Sequence, residues 1–121
     1  PSQYCKKAIS LYNIGMDVRY GSFVWDDAKE KDNILRHGVD FRTDARAFLD
    51  TYRVIAKDAK HSKIEERRFC IGRVDEIVLT VRFVHRSSAI RIIGAGNWRK
   101  GWKLYAQKKR RGFPSRQAHR R

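Results

Sequence analysis

Four of the arginines in the central part of this chain are candidates for chemistry, because they stand among β-branched and aromatic residues that would ordinarily be buried. Arg67, Arg86 and Arg91 lie at or near the ends of these runs, and Arg82 shares the alternation face of Arg86. A planar guanidinium group holds two phosphate oxygens at once, which suits it to stabilise charge developing on a phosphate. The arginines therefore predict a phosphate-binding face. The alternative is that they are solvated strand residues that only keep the face soluble.

Two histidines are candidates for the proton transfers of phosphate chemistry. His85 directly precedes Arg86, but it alternates with Val81 and Phe83, which also fits a histidine at the edge of the core. His37 follows a predicted helix, where a histidine equally suits the negative helix end. The sequence does not decide between these alternatives.

A second set of residues could contact a phosphate backbone without taking part in chemistry. It consists of Lys57, Arg82, Arg99, Lys100, Lys103 and Tyr105. Tyr105 could stack on a base or donate a proton, although a helical tyrosine also fits packing on a sheet. No metal or cofactor is predicted, because the histidines lack metal-ligand spacing with Cys5 or Cys70.

The charge balance indicates a polyanionic partner. Lys and Arg number 28 against 13 Asp and Glu, a formal charge of +15 on 121 residues. All the acidic residues precede Val78, and the segment 99–121 holds ten Lys or Arg and no acid. This excess favours nucleic acid or an acidic protein as the partner. No run suggests a membrane span or a signal peptide, so we expect a cytoplasmic protein.

The stretch 65–97 predicts a three-stranded antiparallel meander that carries the arginines. Apolar residues at 77, 79, 81 and 83 alternate with Arg82 and Arg86, and Asp75–Glu76 and Ser87–Ser88 mark two turns. One face should cover a core, and the face with the arginines should be open to a partner.

The elements around the meander complete an α+β domain with its helices on one face of a small, mainly antiparallel sheet. Two helices should precede the meander: Asp27 and Glu30 predict a capping box for the first, which ends at Gly38, and Asp40 predicts the N-cap of the second. The second helix should bury Phe41, Ala45 and Phe48. Strands are predicted at Tyr20–Trp25 and Thr51–Lys57, and a closing helix at Trp98–Lys109, which docks Trp98, Trp102 and Tyr105 on the sheet.

The domain is expected to occupy residues 16–109. Residues 1–15 precede Met16, the only methionine, and are predicted to be a non-native extension that adds little to the fold. Residues 110–121 are mostly basic and contain Gly112 and Pro114, so we expect a disordered tail.

Ordered fragments across most of the chain carry a family resemblance. They are Phe23–Asp26 with Lys29, Asn33, Arg36–Val39, Phe41, Ala45, Phe48–Asp50, Glu66–Arg67, Ile71–Gly72, Arg86, Arg91–Ile93 and Tyr105. Together they resemble the BrnT family of toxins from bacterial type II toxin–antitoxin pairs. The resemblance implies a RelE-like fold, a ribonuclease activity that inhibits translation, and neutralisation by a ribbon-helix-helix, BrnA-like antitoxin. It also implies that DNA is contacted only through the antitoxin complex.

Within that resemblance, Arg67, Arg86 and Arg91 match family positions and become the expected catalytic clamp of a metal-independent endoribonuclease, with His37 or His85 as the titrating group. The chain departs from the family near its last helix. Family members commonly carry an arginine where this chain has Gly96, and an acidic–basic pair where it has Gly101–Trp102. Two alternatives therefore stay open: a nucleic-acid-binding module without catalysis, and a subunit whose basic face only binds an acidic antitoxin.

Overall fold

The computed structural model describes residues 15–118, with side chains described as far as Arg111. The strands are β1 (Asp17–Tyr20), β2 (Phe23–Asp26), β3 (Val54–Lys57), β4 (Arg68–Val74), β5 (Ile77–Arg86) and β6 (Ala89–Gly96). They form one sheet in the order β1-β2-β6-β5-β4-β3, in which only β2 and β6 run parallel. The helices are α1 (Asp27–His37), α2 (Phe41–Ala45), which continues into a 3-10 turn (Arg46–Leu49), and α3 (Arg99–Ala118). This confirms the α+β class, the mainly antiparallel sheet and the placing of the helices along the chain.

The meander of β4, β5 and β6 confirms the alternation seen in the sequence. Its two turns lie at the predicted polar pairs, where Asp75 and Ser87 adopt left-handed φ values of 55° and 56°. The prediction of one strand over Tyr20–Trp25 was wrong. Gly21 and Ser22 form a tight turn instead, so that the segment folds back as the hairpin of β1 and β2.

The core lies between the sheet and the segment formed by α2 and the 3-10 turn that follows it, on what we call the core face. Leu79, Val81 and Phe83 of β5 point to this side and contact Trp25 and Phe41 within a single buried cluster. The rings of Trp25 and Phe41 meet edge to face at 5.8 Å between centroids. These large apolar side chains hold α2 against the sheet, because leaving them exposed would cost about 1.5–3 kcal/mol each. Helix α1 contributes no buried residue and is joined to the sheet by hydrogen bonds, such as that from Trp25 Nε1 to Glu30.

The expectation that all helices share one sheet face was wrong. The side chains of Ile71 and Thr80 point away from the core face, and Gly101 of α3 approaches both of them closely. Helix α3 therefore covers part of the face that was expected to be open. The reason is that this face is itself partly apolar, since Ile71 and Val84 are buried there.

Local capping explains where the first two helices begin and end. Asp26, rather than the predicted Asp27, is the N-cap of α1: its backbone is extended and its carboxylate accepts from Ala28 N at 3.1 Å. Glu30 does not complete a capping box, because its carboxylate accepts from Trp25 Nε1 and Phe41 N. The predicted end of α1 is confirmed at Gly38, whose φ of 76° is easily adopted without a Cβ.

The second helix begins as predicted, with Asp40 accepting from Thr43 N at 2.8 Å. Strand β3 is shorter than the predicted Thr51–Lys57, because Tyr52 N donates to Asp50 Oδ1 in a turn before the strand. Phe41 and Ala45 are buried, and Phe48 packs against the cluster from its edge.

Helix α3 differs from the prediction in its extent and in its buried side. It extends from Arg99 to Ala118, beyond the predicted end at Lys109. That residues 110–121 form a disordered tail stays a prediction. Tyr105 is buried as predicted, whereas Trp98 and Trp102 are 38% and 48% exposed, so their docking on the sheet is only partial. The extension predicted before Met16 lies, apart from Gly15, outside the described residues, as do residues 119–121.

Candidate functional site

The predicted arginines share the sheet face opposite the core, which we call the arginine face. Arg82 of β5 pairs with Phe69 of β4, and Arg91 of β6 pairs with Val84 of β5. Paired residues point to the same side of a sheet, and Arg82 and Val84 are two residues apart on one strand. All four side chains therefore point to one side. Arg86, at the end of β5, follows the same alternation. Because β5 and β6 are neighbours, the register gathers these guanidinium groups over adjoining strands rather than scattering them.

Two of the arginines are held by carboxylates at the surface. Arg86 donates from Nε and Nη2 to Glu65 at 2.8 and 2.9 Å, and Arg91 donates from Nη1 and Nη2 to Asp17 at 3.1 and 2.7 Å. Neither carboxylate is internal, since the Glu65 and Asp17 side chains are 34% and 63% exposed. Both pairs are therefore open to water and to competing anions.

Arg67 joins the group through Glu65. A hydrogen bond from Arg86 holds the pKa of Glu65 below its usual range, and the nearby charges of Arg67 and Arg91 act in the same direction. In the part of the chain that the structure describes, no carboxylate forms an ion pair with Arg67. Arg67 is thus the member of the group whose guanidinium is not already matched by an acid.

A buried carboxylate that the sequence analysis passed over connects Arg82 to a histidine. Asp58, 4% exposed, lies 3.0 Å from His61 Nδ1 through Oδ2. The same oxygen lies 3.3 Å from Arg82 Nε, an ion pair whose N–H is not aligned for a hydrogen bond. The i, i+3 spacing of Asp58 and His61 immediately after a strand was the available signal. This spacing was not recognised as a signal because the segment has the composition of an ordinary polar loop.

A cleft of about 230 Å³ opens between the first turns of α3 and the arginine face. Apolar side chains form much of its wall, and Arg82 and Lys100 add positive charge; the lining residues are Phe69, Ile71, Thr80, Arg82, Trp98, Lys100, Gly101 and Leu104. The guanidinium carbon of Arg82 lies 5.6 Å from the centre of the Phe69 ring, a cation–π arrangement. An aromatic ring beside cationic groups is the combination that binds a nucleotide by its base and its phosphate.

The other predicted site residues do not join this group. By register, Lys57 and His85 lie on the core face, at the sheet end where the His85 ring contacts Phe83 edge-on. His37 packs edge-on against Trp98 with 5.5 Å between the ring centres. Arg99 and Lys103 are exposed on the first turns of α3.

Tyr105 lies near the opposite end of the sheet from Arg86. Its hydroxyl donates to Asp50 Oδ2 at 2.6 Å, and burial together with this hydrogen bond raises the pKa of Tyr105 to about 12. The buried position of Tyr105 agrees with the alternative in which it packs on the sheet. Its hydroxyl is already hydrogen-bonded to Asp50.

The two departures from the family pattern have steric causes. A Cβ on Gly96 would lie 2.7 Å from the indole ring of Trp98, so this ring occupies the space beside position 96. A Cβ on Gly101 would lie 2.0 Å from Thr80 Oγ1, so α3 approaches the sheet where a side chain is missing. At position 96 the indole ring of Trp98 therefore fills this part of the arginine face and forms a wall of the cleft.

An α+β domain with clustered arginines and a cationic cleft fits a small RNA-processing protein, and comparison with known families makes this specific. The model for the ribonuclease toxin, BrnT, of type II toxin–antitoxin systems matches residues 25–101, well over half of the chain. The chain belongs to this family of ribonuclease toxins. A comparison with curated proteins finds no match.

Two kinds of feature are absent from the part of the chain that the structure describes. Within residues 15–118, no group of three His, Cys, Asp or Glu side chains is arranged to hold a metal ion. No helix in that part of the chain is long and apolar enough to cross a membrane.

Proposed function

We propose that this ribonuclease toxin cleaves RNA at the arginine face by metal-independent acid–base chemistry and thereby blocks translation. The observation that carries the proposal is the gathering of Arg82, Arg86 and Arg91 over adjoining strands, with Arg67, just before β4, near enough for its charge to act on Glu65. RNA engaged in translation is the substrate, which puts the site of action in the cytoplasm.

The arginines would act on the charge of the transition state. When the 2′-hydroxyl attacks the neighbouring phosphorus, negative charge grows on the non-bridging oxygens, and guanidinium groups placed there lower the barrier. Arg86 and Arg91 must first exchange Glu65 and Asp17 for the phosphate. Because surface ion pairs contribute only about 0–1 kcal/mol, that exchange costs little. Arg67 needs no exchange.

The cleft beside Arg82 would position the substrate. Phe69, Trp98 and Leu104 form an apolar wall for a base, and Lys100 lies where it can reach a phosphate. Stacking on aromatic rings is possible only for an unpaired base, so single-stranded RNA is the proposed form of the substrate.

The direct test is cleavage of a single-stranded RNA by the purified protein in the presence of EDTA. We expect cleavage by the wild type and a loss of at least about 100-fold when Arg67→Ala and Arg91→Ala are combined. Arg46→Ala is the matched control, because Arg46 also forms a surface ion pair but with Asp75 at the other end of the sheet. Undiminished cleavage by the double variant would remove the arginines from the mechanism. Activity lost in EDTA and restored by a divalent ion would reject metal independence.

The partner is proposed to be a ribbon-helix-helix, BrnA-like antitoxin that covers the arginine face with acidic side chains. The excess of positive charge favours such a surface. Contact with DNA would then arise only through the antitoxin. Mixing the protein with a candidate ribbon-helix-helix antitoxin should give a complex that Arg91→Glu weakens and Arg46→Glu does not. Equal effects of the two changes would place the interface elsewhere.

A second candidate function, RNA binding without cleavage, is favoured by one observation. The position where family members commonly carry an arginine is Gly96, covered by Trp98. In that case RNA binding would be strongly salt-dependent and no products would form, with or without EDTA. The cleavage assay separates the two functions directly.

A further inference from the structure

The loop between β3 and β4 is closed by its own hydrogen bonds. Asp58 N donates to Arg67 O at 2.8 Å, which joins the two ends of the loop. The Ser62 hydroxyl lies between them: it donates to Asp58 O at 2.6 Å and accepts from Arg67 N at 3.0 Å. These bonds fix His61 relative to Arg67, although neither residue belongs to a strand.

Inside this loop Asp58 orients the imidazole of His61. The two Asp58 oxygens lie 3.2 and 3.0 Å from Nδ1, and the carboxylate is nearly fully buried while the His61 side chain is 47% exposed. A carboxylate on Nδ1 favours the tautomer with its proton there, which leaves Nε2 as a proton acceptor directed away from Asp58. It also stabilises the imidazolium that forms when Nε2 takes a proton.

Arg82 connects this pair to the arginine face. Its Nε lies 3.3 Å from the Asp58 oxygen that is closer to His61. Arg82 also lines the cleft, and its side chain is 29% exposed. One buried carboxylate therefore holds both a histidine and an arginine whose other atoms remain accessible. Neither His37 nor His85 has a carboxylate partner within the described residues.

We propose that His61, oriented by Asp58, is the general base of the cleavage reaction; this rests on the proposed ribonuclease function. Nε2 of the neutral imidazole takes the proton of the 2′-hydroxyl as the O2′–P bond forms. The P–O5′ bond breaks, and the leaving 5′-oxygen takes a proton from water. The products are a 2′,3′-cyclic phosphate and a 5′-hydroxyl end, and the imidazolium returns its proton to solvent.

The charges around His61 shape the expected pH dependence. Asp58 faces the ring from its own loop, Arg82 reaches Asp58 from β5, and Lys60 and Lys63 flank the residue in sequence. A general base acts only in its unprotonated form, so cleavage by the wild type should show a limb that rises with pH. This limb of the profile should be absent when His61 is replaced.

The test compares cleavage and binding by the full-length protein on one single-stranded RNA. His61→Ala should lower the cleavage rate about 100-fold or more, with an RNA dissociation constant within about threefold of wild type, and added imidazole should restore part of the rate. Ile64→Ala, at a fully exposed and uncharged position of the same loop, is the control and should change neither quantity by more than about threefold. Asp58→Asn should lower the rate and shift the pH limb, which a purely structural residue would not do.

Several outcomes would overturn the assignment. Cleavage by His61→Ala at the wild-type rate would do so while leaving the ribonuclease proposal intact, and so would loss of cleavage in His37→Ala or His85→Ala alone. If His61→Ala lost RNA binding in parallel with cleavage, or gained nothing from imidazole, His61 would be a structural or binding residue instead. A wild-type protein that binds RNA but never cleaves it would reject both proposals together.

Discussion

Asn33 and Ala95 are joined by two hydrogen bonds that imitate the pairing of β-strands. Asn33 Nδ2 donates to Ala95 O at 3.1 Å, and Asn33 Oδ1 accepts from Ala95 N at 3.2 Å. Strand β2 pairs with β6 only as far as Val24 and Arg91, after which the chain turns into α1. The amide of Asn33 thus supplies the hydrogen-bond donor and acceptor that a neighbouring strand would otherwise provide for the backbone at the edge of β6. These bonds link α1 to the end of the strand that carries Arg91.

Replacing Asn33 by Asp should destabilise the protein by about 1–3 kcal/mol, because Ala95 O would lose its donor and face a carboxylate. Urea unfolding at pH 7 measures the change. Asp32→Ala is the control, since Asp32 only forms an exposed ion pair with Arg36 on the same helix. Equal stability of Asn33→Asp and the wild type would show that water replaces the amide without cost.

The hydroxyl of Tyr105 should contribute about 1–2 kcal/mol through Asp50, as a hydrogen bond to a charged acceptor. Burial raises the pKa of Asp50, but hydrogen bonds from Tyr105, Arg73 N and Tyr52 N outweigh it and hold the value below the ordinary range. The stability from this depressed pKa is present above the pKa of an unfolded Asp and is lost as the pH falls through the folded value.

Tyr105→Phe should therefore lower the urea midpoint at pH 7, and the difference from wild type should shrink on acidification. Tyr20→Phe is the control, because Tyr20 is exposed on β1 at the far edge of the sheet. A loss of stability that is the same at pH 7 and pH 3 would mean that packing, not the Asp50 hydrogen bond, is responsible.

The overall fold was predictable from the sequence because its signals are local. Alternation in β4 and β5 and polar pairs at the turns define the meander, and Gly38 and Asp40 mark helix ends. The position of α3 was not predictable, since it depends on the absence of a side chain at Gly101 opposite Thr80. A β-bulge also shifts the pairing of β5 and β6 beyond Arg82. As a result Ala95, rather than Gly94, points toward the core. No pattern in the sequence marks this bulge.

The candidate site was predictable only where regular strands carry it. Arg82, Arg86 and Arg91 follow from the register, because residues of one parity share one face. The pairing of Asp58 with His61 arises from a loop whose shape is set by Ser62 and its backbone hydrogen bonds, and strand or helix periods do not apply there.

Gly101→Ala should destabilise the docking of α3 by about 1–3 kcal/mol, because the added methyl group would lie 2.0 Å from Thr80 Oγ1. Adding Thr80→Ala removes that oxygen, and the nearest remaining atom of residue 80 would lie 3.4 Å away. We expect the double variant to be more stable than Gly101→Ala alone. A double-mutant cycle by thermal unfolding measures this coupling, and strictly additive effects would contradict the contact.

Asp44 should make the protein less stable as the pH rises toward 8. Its side chain is fully buried without a hydrogen-bond partner among the described residues, and burial, with the charges of Asp40 and Glu30, raises its pKa to about 8. The folded state keeps a proton that the unfolded state releases above about pH 4. The contribution of Asp44 to stability is therefore greatest below that pH, declines by up to about 1.4 kcal/mol per pH unit above it, and levels off above about 8.

Asp44→Asn removes this titration, so its stability relative to wild type should increase steadily between pH 5 and 8 in urea unfolding. The amide introduced by Asp44→Asn also lacks a hydrogen-bond partner, but the cost of burying it does not change with pH. The pH dependence of the stability difference therefore reports on the carboxyl group alone. Asp75→Asn, an exposed change at a turn, should show no such trend. A constant difference between Asp44→Asn and wild type over this range would mean that Asp44 ionises normally in the folded protein.

Releasing an arginine from its surface carboxylate should strengthen RNA binding. Glu65→Gln removes the acid that holds Arg86 through two hydrogen bonds, so the guanidinium becomes available to a phosphate without exchange. We expect the dissociation constant for a single-stranded 2′-O-methyl RNA to fall several-fold at low salt, and the slope of log K against log salt to steepen by about 0.7, the value for one added phosphate contact. Asp75→Asn changes the net charge equally but frees Arg46, at the opposite end of the sheet, and should leave the slope unchanged. If both variants bind equally tightly, the gain comes from net charge alone and Arg86 does not contact the RNA.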